Sequence, residues 1–376
     1  MGAVRWERNL GRMERRKSSA RARSPGSAPS TVAVRSPRGR ASPDPGGRTG
    51  AGRSRIGDEH GCLSLAIVTG GNRGIGRAIV EGLWQHGGFH TIIACRSTQL
   101  GQQAADEVRR TTPVACGQDW AGGCLEVMEL DLTDSRSVTR FARAILGRGQ
   151  AVRVLCNNAG VLRWKGSVAT SAGIEEHLHA NYLGHFLLVR ELLPALTAQP
   201  GARVIAVGSN LAHFSNIHWD DMNALEGFAA YGQSKLCNLL HMQELHQLFS
   251  FPHALCAFCI DPGEVNTDIT RFFPCAGLIN WVLARMPQRN TPQQGADSAV
   301  WLATTDMATA TALSGQFVRN RAPVALGQGG GQTRFSSVLL GALYANAVES
   351  ESHGPVAAKR LWAKSHAMAD ELLGAR

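Results

Sequence analysis

The stretch Leu63-Ser-Leu-Ala-Ile-Val-Thr-Gly-Gly-Asn-Arg-Gly-Ile-Gly76 decides the fold. Its first six residues form an apolar run of strand length, and a helical pattern follows from Arg77 to Trp84. Between them, Gly70, Gly74 and Gly76 occupy a strand-to-helix turn. Glycines there let the backbone approach a pyrophosphate, and the helix N-terminus adds unpaired N–H groups and a positive dipole end. Glycine is abundant, 42 of 376 residues, so the pattern alone is weak. Its position at the first strand and first helix gives it weight, and Asn72, Arg73 and Ile75 complete the candidate dinucleotide turn.

Outward from this turn, strands and helices alternate. Apolar runs at Thr91–Cys95, Leu125–Leu130, Val152–Cys156, Arg203–Val207, Ala254–Ile260 and Gln316–Val318 predict further strands. Helical patterns cover Gln99–Arg110, Ser135–Leu146, Ile174–Leu196 and Tyr231–Phe249. That alternation predicts an α/β fold: a single Rossmann-like, doubly wound parallel sheet of about seven strands with helices on both faces. Cys116–Gly123 reads as a loop and Gly327–Gln332 as a flexible break. Val338–Val348 is too short to span a bilayer and suits a lid, a dimer contact or a surface docking patch. No apolar run approaches the ~18–20 residues of a membrane span.

The net charge of +10 is unevenly placed. Residues 1–60 carry 14 Arg/Lys against five acids, a net of +9, so the other 316 residues are nearly neutral. This Arg/Ser/Pro/Gly-rich leader holds too few large apolar side chains to offset its ordering entropy and is expected to be disordered. A mitochondrial transit peptide is disfavoured by the prolines from Pro25 onward, and myristoylation by Trp6. An RNA-binding arm lacks interleaved aromatics, so no nucleic-acid partner is expected. Residues 61–376 are expected to form the folded domain. With 44% hydrophobic and 18% charged residues, a fully disordered chain is excluded.

Nine cysteines, an odd number, lie scattered through apolar runs and read as reduced, buried thiols. Cys256 and Cys259 form a CxxC on a predicted strand, where side chains three apart face opposite sides; no metal site is expected. Reduced thiols suit an intracellular protein, cytoplasmic or associated with the endoplasmic reticulum, with mitochondria disfavoured.

Two positions carry the chemistry. The end of the second strand reads Ala94-Cys95-Arg96-Ser97, with no acid to bind a ribose 2′-hydroxyl. Arg96 together with Arg73 could clamp a 2′-phosphate, so NADP(H) is favoured over NAD(H). The chain has only three tyrosines and five lysines, yet Tyr231-Gly-Gln-Ser-Lys235 pairs them at i and i+4 on one helix face. An ammonium near a phenol lowers its pKa toward a range useful for proton exchange with an alcohol or carbonyl. The competing reading is an amphipathic helix with a snorkelling lysine.

Together these residues resemble the short-chain dehydrogenase/reductase family over roughly Leu65–Val318. The glycine turn is similar to its TGxxxGxG, Asn157-Asn158-Ala159-Gly160 to its NNAG, and Tyr231 with Lys235 to its YxxxK. Ser209 matches the catalytic serine, Asn181 the helix-four asparagine, and Asp261-Pro262-Gly263 with Thr267 the PG motif. Glu175-Glu176-His177, Asn181-Tyr-Leu-Gly-His-Phe-Leu-Leu188 and Trp219-Asp-Asp-Met222 are similar to the retinol-dehydrogenase-like branch. Gly208-Ser209 departs from the Ser-Ser usual in that branch, and the segment from about Arg319 to His353 fits it poorly.

The resemblance implies an NAD(P)-dependent oxidoreductase interconverting a hydrophobic alcohol and its aldehyde or ketone, of retinoid, prenol or steroid-like type. It implies Tyr231 as acid or base, Ser209 as the hydrogen-bond partner of the substrate oxygen, Lys235 on the nicotinamide ribose, and Asn181 as holder of a relay water. Asn158, Ala159, Gly160 and Asp131 would line the adenine side, and Pro262, Gly263 and Thr267 the nicotinamide. Asp131 also suits a helix N-cap, Thr267 a turn, and Asn181 the satisfaction of local backbone groups. The family dimerises through its fourth and fifth helices, so a homodimer is compatible, as is peripheral membrane contact. The alternative function is a cofactor-binding regulator or scaffold with little catalysis.

Overall fold

The computed structural model describes residues 63–112, 125–163, 165–166, 168–265, 290–324 and 350–374. The leader 1–60, the expected loop Cys116–Gly123, the glycine break Gly327–Gln332, the apolar stretch Val338–Val348 and Thr267 lie outside them.

The chain opens with β1 (Ser64–Thr69), α1 (Gly74–His86), β2 (Phe89–Cys95), α2 (Thr98–Thr111), β3 (Leu125–Glu129), α3 (Ser135–Leu146) and β4 (Val152–Asn157). A wide turn of π-helix, Leu178–Leu183, runs into α4 (Gly184–Leu196). There follow β5 (Arg203–Val207), a 3₁₀ turn (Asn210–Phe214), α5 (Gly227–Phe249), β6 (Cys256–Ile260), α6 (Pro292–Thr304) and α7 (Met307–Leu313). The described chain closes with β7 (Phe317–Arg319), β8 (Ala322–Pro323), a short 3₁₀ turn (Ser350–Ser352) and α8 (Gly354–Gly374).

The sheet order is β3-β2-β1-β4-β5-β6-β7-β8. All neighbours are parallel except β7 and β8. The eighth strand, only two residues long, turns back through Asn320 and Arg321 at positive φ. Two residues are too short to show a period, so β8 left no signature in the sequence. The expected helix Ile174–Leu196 also starts later than its apolar pattern. Glu175 sits in an antiparallel bridge with Ala169, and its carboxylate accepts from the Leu178 N–H, acting as a cap.

Alternation along the strands divides the core. Ala66 and Val68 of β1, Ile93 of β2, Cys156 of β4, Ile205 of β5 and Phe258 of β6 pack with Ile79 and Leu83 of α1, Val108 of α2 and Leu302 of α6. Burying one such side chain contributes about 1.5–3 kcal/mol. The other face lies under α3, α4 and α5. There α5 is buried almost all round, because α8 lies over it. Trp362 of α8 meets Phe186 edge to face with centroids 5.3 Å apart, and Ser365 hydrogen-bonds the Tyr182 hydroxyl. The two faces converge at the C-terminal ends of the parallel strands, where both chemical motifs lie.

Candidate active site

Thr69, the last residue of β1, organises the floor. Its hydroxyl accepts from the backbone N–H groups of Asn158 (2.9 Å) and Ala159 (3.0 Å) and pairs with His185 Nε2 at 2.8 Å. His185 Nδ1 faces the Asn181 carbonyl at 3.0 Å, which can only accept. Nδ1 therefore carries the proton, Nε2 accepts, and the Thr69 hydroxyl donates to it. Burial holds His185 neutral by lowering its pKa to about 4. Asn158 Nδ2 also donates to the Thr69 carbonyl at 2.7 Å.

This close approach requires glycine at 76. A Cβ there would stand 2.3 Å from the Gly70 carbonyl oxygen and 2.4 Å from Asn158 Nδ2. The helix it opens, α1, has Arg73 at its N-cap with no side-chain cap and no acid in its first turn. By contrast Ser97, Asp134, Thr291 and Asp306 cap α2, α3, α6 and α7. A glycine cradle beneath an uncapped helix N-terminus fits the pyrophosphate of a dinucleotide. Arg73 and Arg96 flank the cradle's edge, exposed and without an ion pair among the described residues. Asp131 lies half-buried beyond β3 and accepts from the Thr133 N–H (2.9 Å) and hydroxyl (2.8 Å). It is not the cap of α3; Asp134 is.

The catalytic candidates meet beside this floor. Tyr231 and Lys235 rise from the first turns of α5, 7% and 3% exposed. Ser209 leaves the end of β5 and caps the following 3₁₀ turn by accepting from the Leu211 N–H at 3.3 Å, with its hydroxyl beside the Tyr231 phenol. Lys235 Nζ donates to the Val207 carbonyl at 2.8 Å and lies 5.5 Å from the Tyr231 ring centroid. Its ammonium has one acceptor among the described residues, leaving donor capacity that suits ribose hydroxyls. Burial lowers the Lys235 pKa to about 8.

The expectation that the lysine depresses the Tyr231 pKa is corrected. Burial, and secondarily the Asp261 carboxylate, pushes the phenol upward, and the Ser209 hydrogen bond only partly opposes them. Desolvation of a nearly enclosed phenolate outweighs an ammonium that is itself desolvated.

Asn181 is fully buried in the π-helical turn. Its Nδ2 donates to the Val161 carbonyl (3.1 Å) and Ser234 hydroxyl (3.0 Å), and its Oδ1 accepts from the Val161 N–H (2.8 Å). Satisfaction of local backbone groups is therefore part of its role. Gly160 runs between Asn181 and Lys235; a Cβ there would lie 3.3 Å from Asn181 Oδ1 and 3.7 Å from Lys235 Nζ. After β6, the Gly263 N–H bonds Asp261 at 2.9 Å, and Asn290 donates to the Pro262 carbonyl at 3.0 Å. Asp261, buried, faces Arg319 at 3.4 Å.

The departure at Gly208 has a steric cause: a Cβ there would lie 2.6 Å from Cys259 Sγ and 3.0 Å from the Phe317 ring. Cys259 thus faces the site, whereas Cys256 packs in the core on the opposite side of β6. Leu162, Phe228 and Leu211 pack around Tyr231 as an apolar wall. Thr69, Leu162, Leu211, Phe228 and the positioning part of His185 were missed in the sequence. His185, four residues after Asn181 on one helix, and Thr69, the first residue of the TGxxxGxG match, offered a spacing signal.

A family profile for short chain dehydrogenase matches residues 64–274. Retinol dehydrogenase 11 of Homo sapiens is 32% identical, over 64% of this chain and 73% of its own length. Polyprenol dehydrogenase of Homo sapiens is 32% identical over 64% and 72%. Among solved structures, a Pseudomonas aeruginosa RhlG/NADP active-site complex is similar at 26% identity and a TM-score of 0.52, covering 68% of this chain and 94% of that one. An uncharacterised protein from Mycobacterium paratuberculosis is similar at 27% identity and a TM-score of 0.56, covering 82% and 95%.

Proposed function

The chain belongs to the short-chain dehydrogenase family, whose members carry out alcohol–carbonyl oxidoreduction with NAD(P)(H), and from that premise we propose that its substrate is a hydrophobic alcohol and the matching aldehyde or ketone, with NADP(H) preferred. The observation that carries this reading is the apolar wall of Leu162, Phe228 and Leu211 packed around the Tyr231 phenol beside Ser209. Retinol and polyprenol dehydrogenases among the relatives support a retinoid or prenol over a sugar.

A nicotinamide cofactor held here would supply or accept the hydride. The chain's own residues do the rest. Ser209 holds the substrate oxygen by hydrogen bonding, and Tyr231 gives that oxygen its proton or takes it away. Lys235, whose Nζ donates to the Val207 carbonyl, would offer its remaining N–H groups to the ribose. Both amide protons of Asn181 are engaged, so the second lone pair of Oδ1, beside Gly160, would receive the relay water. Asp131, Asn158, Ala159 and Gly160 would line the adenine side, and Pro262 and Gly263 the nicotinamide side. Arg96 and Arg73 would clamp the cofactor's 2′-phosphate.

The five described free cysteines, all buried, support a reducing, intracellular setting. A homodimer through α4 and α5 would have to form around α8, which already covers Tyr182 and Phe186.

Fluorescence titration of the full chain with NADPH and NADH tests the cofactor. NADPH should bind more tightly, and Arg96→Ala should weaken NADPH roughly tenfold while leaving NADH nearly unchanged. Equal affinities would refute the phosphate clamp. Turnover of all-trans-retinal and of prenyl aldehydes then tests the substrate class; turnover confined to polar carbonyls would overturn it.

A further inference from the structure

The buried pair Glu175 and His177, 2% and 0% exposed, has no part in the chemistry above. His177 Nε2 lies 2.9 Å from the Arg163 backbone N, which can only donate. Nε2 is thus unprotonated, and the single imidazole proton sits on Nδ1, 2.6 Å from Glu175 Oε1. The second carboxylate oxygen accepts from the Leu178 N–H at 2.8 Å. Every polar atom in the pair is therefore assigned one role.

The consequence falls on the segment after the Asn157–Gly160 motif. Asn181 grips Val161 by both its N–H and its carbonyl, and His177, four residues earlier on the same helix, grips the Arg163 N–H. Leu162, held between the two grips, packs against Phe228 and Tyr231. The His177 ring itself meets the Tyr231 ring edge to face, with centroids 6.1 Å apart at 81°. One imidazole thus supports Tyr231 twice, directly and through Leu162.

We propose that Glu175 and His177 form a positioning dyad for Tyr231: Glu175 sets the tautomer of His177, and His177 locks the Val161–Arg163 segment and the phenol in place. This rests on the reading of Tyr231 as the proton-transfer residue. Glu175→Gln is the sharpest perturbation, since it keeps the shape but leaves one acceptor for two donors, His177 Nδ1–H and Leu178 N–H. Moving the imidazole proton to Nε2 would set it against the Arg163 N–H, so one hydrogen bond is lost in every arrangement.

The test uses the full chain with 13Cζ-labelled tyrosine. Its three tyrosines give three resonances, and Tyr231→Phe assigns one of them. In His177→Leu and Glu175→Gln the Tyr231 resonance at pH 7 should move, while that of Tyr182, whose ring packs on Phe186 and His241, stays in place. For all-trans-retinal with NADPH, kcat should fall about tenfold while the NADPH Kd stays within about twofold, because small misplacement of a reacting group is costly. His177→Gln, whose carboxamide oxygen can accept from Arg163, should recover most of the loss. An unmoved Tyr231 resonance overturns the proposal, and so does a loss of NADPH binding that parallels kcat. A wild-type chain that binds NADPH without turning over retinal counts against the substrate reading alone, and the resonance still decides the dyad.

Discussion

The face of the sheet under α1, α2 and α6 and the face under α3, α4 and α5 share the same strands, residue by alternate residue, yet they bury different chemistry. The first packs Ala, Val, Ile and Leu against one another, and Arg203, buried at its edge, donates to the Leu302 carbonyl at 2.9 Å. Helices on the second bury His185, Lys235 and His241, and the turn leading into α4 buries His177 and Asn181. Apolar burial is non-directional, so the first face asks only for volume. Buried polar groups must each find a partner, so the second face specifies geometry. The site stands where that specified geometry meets the glycine turn. Changes on the apolar face should therefore cost stability, and changes on the polar face should cost activity or alter pH behaviour.

Tyr231→Phe is the strongest way to break this division. It removes one hydroxyl, keeps the ring in the Leu162–Phe228 wall, and should lower kcat by about 10²–10⁴-fold with NADPH binding retained. Steady-state rates and a fluorescence titration check it; unchanged turnover would remove Tyr231 from the chemistry.

Ile79→Ala, on the apolar face, should act in the opposite sense. Ile79 is fully buried against the sheet. The cavity should cost about 2–5 kcal/mol in urea unfolding, with little change in the pH dependence of kcat. A pH profile that moved with this variant would show that the two faces are not separable.

The smallest effect is spread over acid pH. Burial lowers the pKa of His185 to about 4 and of His241 to about 3. Between the ordinary imidazole value of about 6.5 and those folded values, the unfolded chain binds protons that the native chain does not. Stability is therefore complete above about pH 6.5 and falls as pH drops, by up to about 1.4 kcal/mol per pH unit for each such histidine. His241 sits among Tyr182, Phe186 and Trp362 with its Nε2 unpartnered. His241→Phe should flatten the slope between pH 6.5 and 4.5, as urea midpoints at several pH values would show. An unchanged slope would place the acid sensitivity elsewhere.

The apolar face was the more legible one. Strand periods and the helix patterns after Gly76 and Ser135 need only local residues, and most predicted elements lie within two or three residues of their observed bounds. Much of the polar face was legible as motif but not as arrangement. Tyr231 and Lys235 were visible as a spacing, but the burial that raises the phenol comes not only from Phe228, one turn earlier on the same helix, but from Leu162 and Leu211, which are distant in the chain. Glu175-Glu176-His177 stood out in the sequence, yet nothing local shows that His177 receives the Arg163 N–H fourteen residues away. The late start of the α4 segment has the same origin: apolar periodicity counts Ile174 as helix, while the Glu175 side chain ends the pattern by capping Leu178.

By itself the sequence determined the alternation of strands and helices, the glycine turn and the order of the catalytic motifs, because each is written in residues within one turn or one strand of each other. Only the tertiary structure decided which groups meet at the strand ends: Thr69 with His185, Asn181 with Val161 and His177 with Arg163 by hydrogen bonds, and Gly208 with Cys259 by close packing. Those pairings depend on chain segments brought together by burial, and a hydrogen bond is directional over a few tenths of an ångström, a precision that no one-dimensional spacing encodes.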